Sequence, residues 1–139
     1  MADLAKTQVK TGKIKIYEKN PAYWEYDGKP LFLYGGSKRD NLFVIDDLKE
    51  HLNQLKLVGG NYVRCTIYGD ENKGLMPYKA DSGLYDLALF DERFWKRFEE
   101  FLVLTIERDI IVQIEIWAAK SFYKENWQNN PFNPKKKSD

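Results

Sequence analysis

Two helical stretches alternate with strand-like runs, and this alternation constrains the chain more than any other feature. Ile45, Leu48, Leu52 and Leu55 form one apolar stripe at helical spacing, so a helix is expected over about 46–58. Asp46 can cap its start, and Gly59-Gly60 can stop it through a left-handed residue beyond its end. A second helix is expected over about 91–108, capped by Asp91 and clipped at its entry by Phe90 against Phe94 or Trp95. Its buried stripe is Phe94, Phe98, Phe101, Leu102 and Thr105. Strands are expected at about 31–35, 61–68 and 110–117. Strands separated by helices argue for parallel crossovers and an α/β architecture.

Upstream, "KIKIYE" alternates over 13–18, and Asp27-Gly28 is a two-residue hairpin signal. Together they predict a β-hairpin over 13–30. Residues 1–12 read as a frayed terminus, 69–89 as a long Gly-, Pro- and Asp-rich loop, and 118–139 as a C-terminal loop. A single domain is expected over 13–139.

Composition narrows the function classes. A net charge of +1 gives no reason to expect a nucleic-acid partner, and Lys135 to Lys137 read as a solvated basic run. No stretch approaches the roughly twenty apolar residues of a membrane span, so no membrane partner is expected. The opening "MADLAKTQVK" lacks the apolar core of a secretory signal. The expectation is a soluble, cytoplasmic chain, with secretion open if a leader was removed. The single cysteine, Cys65, rules out an internal disulfide. His51, the only histidine, falls near the apolar edge of the first helix and reads as a surface residue. No metal site or cofactor is expected. "LYGGSKRD" places glycines after a strand but is neither a dinucleotide fingerprint nor a P-loop.

Arg64 poses the sharpest question, because it interrupts the otherwise apolar "GGNYVRCTIYG" and its guanidinium stays charged at any working pH. Side chains alternate across a strand. Val63, Cys65 and Ile67 therefore share one face, and Tyr62, Arg64, Thr66 and Tyr68 the other. In the last strand Ile110, Val112, Ile114 and Ile116 oppose Ile111, Gln113, Glu115 and Trp117. Arg64 and Glu115 can thus meet and supply each other's countercharge. The pair could simply fix register, or the polar faces could lie in solvent. Alternatively Arg64 lines a site, helped by Tyr68, Trp117, Phe122, Tyr123, Trp127 and Phe132. Such aromatics suit flat hydroxylated ligands such as sugars, but could equally form a mini-core under a loop.

Three segments together resemble cellulase-like glycoside hydrolases with a (β/α)8 barrel. They are "NPAYWEYDGKPLFLYGGS", "LKEHLNQLKLVGGNYVRCTIYG" and "FDERFWKRFEEFLVLTIERDIIVQIEIW", with "NNPFNPK" similar to a loop after the third barrel strand. The resemblance implies a partial (β/α)8 (TIM) barrel with an N-terminal hairpin, about three parallel strands and two helices. It implies that Arg64 matches an arginine that supports the nucleophilic carboxylate, and that Asp109 stands where a glycine is often found. The acid/base and nucleophile would come from later strands, and a whole barrel takes about 250 residues. No catalytic residue is therefore expected within this chain, Glu115 being the one carboxylate with a claim to that role. The expected substrate-binding residues are Arg64, Tyr68, Glu115, Trp117 and Trp127. The function implied is an N-terminal part of a glycoside hydrolase acting on oligo- or polysaccharide. Its partners would be carbohydrate, and the remainder of the barrel or a second copy through open strand edges. The alternative is an autonomous α/β carbohydrate-binding or interaction module without catalysis.

Overall fold

The computed structural model describes residues 12–116 and 118–136. Its first unit is a small antiparallel sheet of β1 (Lys15–Ile16), β2 (Trp24–Tyr26) and β3 (Lys29–Leu31), in that order. Asp27 and Gly28 both take positive φ, 48° and 75°, as a two-residue turn matched to the strand twist requires.

The core is built further along. A buried 3-10 turn, Leu42–Val44, precedes α1 (Leu48–Leu57), β4 (Tyr62–Thr66), α2 (Glu92–Ile106) and β7 (Ile111–Glu115). Phe43 is fully buried at its centre, with the rings of Phe94 and Phe98 edge-on at 5.1 and 5.2 Å and Phe101 tilted at 6.3 Å. Leu48 and Leu52 bury from α1, and Val63 and Cys65 from β4, as their spacing requires. The 3-10 turn leaves carbonyls without helical partners. Arg97 of α2 donates to the carbonyls of Phe43 and Ile45 at 2.9 and 2.7 Å, satisfying two that would otherwise be costly.

β4 and β7 form one parallel ladder, with Arg64 opposite Gln113 and Thr66 opposite Glu115. The barrel expectation fails beyond that pair. Among the described residues the only parallel ladder has two strands, and the other sheets are antiparallel. The strand expected at 31–35 does not form. Leu31 closes β3 in the antiparallel hairpin, and the chain then meets β4 through a single parallel bridge, Gly35 to Tyr62. Pro30 has no N–H to give a ladder, and Phe32 and Tyr34 are exposed, so nothing buried holds this segment as a strand. Asn61 takes over: its side chain accepts from the Tyr34 amide and donates to the Phe32 carbonyl, while its own amide donates to the Tyr34 carbonyl.

The loop expected at 69–89 is also corrected. It contains a second antiparallel hairpin, β5 (Tyr78–Asp81) and β6 (Leu84–Phe90), turned at Ser82 and Gly83 with φ of 51° and 82°. The C-terminal loop holds two 3-10 turns and a short helix, α3 (Lys124–Gln128). His51 is half-buried rather than a surface residue, and its Nε2 is enclosed without a hydrogen-bond partner among the described residues.

Helix starts differ in a way local chemistry explains. Asp46 and Asp47 leave the first turn of α1 uncapped by a side chain, because their carboxylates pair with Lys73 and Lys38. Asp91 caps α2, accepting from the Arg93 amide at 3.0 Å, and also binds the Arg93 side chain at 2.7 Å. The Arg93 hydrogen bond holds the Asp91 carboxyl below the ordinary aspartate value of 3.8. A depressed folded value stabilises above the unfolded pKa, and the gain is lost as pH falls through the folded one. Wild type is therefore expected to lose stability relative to Asp91→Asn below about pH 4. Parallel acid melting curves for the two proteins would contradict this.

Candidate functional site

The polar face of the β4–β7 ladder gathers the candidate site. Strand parity puts Tyr62, Arg64 and Thr66 of β4 on one side with Gln113 and Glu115 of β7. Arg64 Nη1 lies 3.4 Å from Glu115 Oε1, and Arg64 Nη2 donates to Asp40 Oδ1 at 3.1 Å. Thr66 Oγ1 donates to Glu115 Oε2 at 3.3 Å, and the Tyr62 hydroxyl to Gln113 Oε1 at 2.6 Å. The guanidinium thus sits between two carboxylates, one from each side.

Asp40 is delivered by the irregular segment after β3. Ser37 Oγ donates to the Arg64 carbonyl and the Thr66 amide donates to the Asp40 carbonyl, both at 2.6 Å, so residues 37–40 run along the edge of β4. Gly35 permits this approach. A Cβ there would stand 1.9 Å from the Tyr62 carbonyl oxygen, a contact only a missing side chain avoids.

Water reaches the cluster. The side chains of Arg64 and Asp40 are about half exposed and that of Glu115 one-third, at 49%, 48% and 33%. Arg64 therefore does not point into a closed barrel interior, and Glu115 does not line a barrel mouth. Ile114 and Ile116 on the opposite side of the last strand are exposed, 39% and 68%, whereas Ile110 is buried. Among the described residues β7 pairs with one strand, and the core takes in Ile110 and Val112 at its beginning.

The other residues expected at the site are placed differently. Tyr68 is half-buried, and its carbonyl accepts from the Asn41 side chain at 3.3 Å. Trp127 belongs to α3 and stacks on Phe122 at 5.7 Å, a small aromatic cluster within the C-terminal segment. Trp117 lies outside the described residues. Sequence reasoning did not single out Asp40, Tyr62, Thr66 or Gln113 as site residues. Parity already put the last three on the Arg64 face, whereas Asp40 arrives through a tertiary approach that no local pattern announces.

Cys65 is fully buried, and burial pushes its thiol pKa up, so it has no nucleophilic character. Among the described residues no group of three or more His, Cys, Asp or Glu side chains could hold a metal ion, and no helix is long and apolar enough to cross a membrane.

Fold and site together define a small chain of helices and mainly antiparallel sheets, with a guanidinium–carboxylate cluster on the open face of the parallel strand pair seen among the described residues. Comparison with protein-family models, curated proteins and solved structures returns no match.

Proposed function

We propose that this protein binds carbohydrate on the Arg64 face and does not cleave it. The observation that carries the reading is Arg64 held between Asp40 and Glu115, beside the Tyr62–Gln113 hydrogen bond. Sugar hydroxyls need donors and acceptors at defined angles, and charge-assisted partners bind them best. The face offers guanidinium N–H groups, carboxylate oxygens, an amide and a phenol within one strand pair. Tyr62 adds a ring for the C–H side of a pyranose. The resemblance of the sequence to cellulase-like glycoside hydrolases supports the same ligand class.

Cleavage requires one carboxyl kept protonated in an apolar setting and a second kept ionised at the anomeric carbon. Asp40 and Glu115 instead face the same cation in a water-accessible place. A soluble, cytoplasmic protein is part of the same proposal, and fractionation of expressing cells checks it.

Arg64→Met is the test. Exposed pairs contribute roughly 0–1 kcal/mol, so the melting curve should barely move. Affinity for cello- and xylo-oligosaccharides, read by calorimetry, should fall about ten-fold or more. Binding that survives Arg64→Met unchanged, or no binding by the wild-type chain, sinks the proposal. Turnover of an aryl glycoside that disappears in Glu115→Gln would show cleavage after all.

A further inference from the structure

A cleft lies away from the strand pair. It has a volume of about 730 Å³ and lies between the β5–β6 hairpin, the start of α2 and the C-terminal segment. This volume falls within the range of small-molecule sites, roughly 300–1,000 Å³. Tyr78 and Tyr85 supply aromatic surface to its walls, and Asn129 an amide. The Tyr78 ring is fixed by stacking on Phe90 at 5.7 Å and by the edge contact with Phe132 at 5.9 Å.

Its charge is asymmetric. Arg93 and Asp91, both on the lining, satisfy each other at 2.7 Å, and Arg93 also donates to the Gly74 carbonyl at 3.0 Å. Lys79 and Lys136 also line the cleft, one from the hairpin and one from the C-terminal segment. Among the described residues neither ammonium group has a hydrogen-bond or ion-pair partner. The two outnumber the one remaining carboxylate, that of Glu92.

We infer that this cleft binds an acidic sugar, its carboxylate or phosphate held by Lys79 and Lys136 and its ring set against Tyr78 and Tyr85. Ammonium groups act as point charges for either anion. A sugar-sized ring matches the volume and the polar aromatic walls better than a bare inorganic ion does. The site is separate from the Arg64 face and does not depend on it.

The test is amide NMR of the full chain titrated with digalacturonate, with glucose 6-phosphate, and with cellobiose as the neutral control. Shifts at Lys79, Tyr85, Glu92 and Asn129 are expected with one or both acidic sugars and not with cellobiose. The arm that responds tells carboxylate from phosphate. Among the described residues neither ammonium group has a polar partner to lose, so Lys79→Gln with Lys136→Gln should keep the wild-type fold while weakening binding about ten-fold. No shifts at these amides, equal shifts with cellobiose, or unchanged affinity in the double variant would overturn the inference. Shifts at Tyr62 and Gln113 report on the Arg64 face instead, so the two proposals fail separately.

Discussion

Phe43→Ala is expected to lower the unfolding free energy by about 3–5 kcal/mol, the usual cost of truncating a buried phenylalanine. Phe43 has no exposed surface and is ringed by Phe94, Phe98 and Phe101, so its removal opens a cavity where three α2 side chains meet the 3-10 turn. Those neighbours cannot simply collapse inward, because Arg97 holds the turn by its Phe43 and Ile45 carbonyls. Domains of this size have about 5–15 kcal/mol in all, so the variant should melt well below wild type. Phe43→Leu keeps most of the volume and should cost distinctly less. Urea titration followed by near-ultraviolet dichroism measures both. A Phe43→Ala cost below about 1 kcal/mol would mean that the ring is not the centre of the core.

Gly35→Ala should couple stability to the site. The added methyl would meet the Tyr62 carbonyl oxygen at 1.9 Å and its carbon at 2.9 Å, and both belong to the backbone of β4. Neither can swing aside, so the 36–40 segment must lift away. Forcing atoms into a packed place costs about 1–3 kcal/mol. The lift would also break the Ser37 bond to the Arg64 carbonyl, the Thr66 amide bond to Asp40, and the Asp40–Arg64 contact. Oligosaccharide affinity should then fall together with the melting temperature. Gly36→Ala is the control, because nothing lies within 4 Å of a methyl built there. It should change stability by no more than about 0.5 kcal/mol. Equal melting temperatures for the two variants would mean that the close approach at Gly35 is unimportant.

Much of the framework is carried by period and punctuation, which are local. The 3.6-residue stripes predict two helices; Leu48, Leu52, Phe94, Phe98, Phe101 and Thr105 are buried from them, whereas Leu55 and Leu102 are half-buried. The two-residue period of a strand places Arg64, Gln113 and Glu115 on one side whatever surrounds them. Asp27-Gly28 is a turn because both residues accept positive φ. Ser82-Gly83 carries a weaker form of the same signal. The flanking residues 78–90 lack a clean apolar alternation, so the second hairpin depends on cross-strand pairing, which becomes visible only when both strands are in place.

Only the tertiary structure decided how the sheets end. An apolar run such as Leu31 to Tyr34 suits a central strand, but a strand needs a neighbour to accept its hydrogen bonds and a layer to cover its face. With Pro30 undonating and Phe32 and Tyr34 exposed, the run closes a hairpin and then meets β4 in an isolated parallel bridge at Gly35. That bridge brings Asp40 to Arg64 across 24 positions of chain, a meeting fixed by one missing side chain and by the Asn61 hydrogen bonds. Parity chose the face of Arg64. Long-range backbone geometry chose its second carboxylate and left the pair open to water.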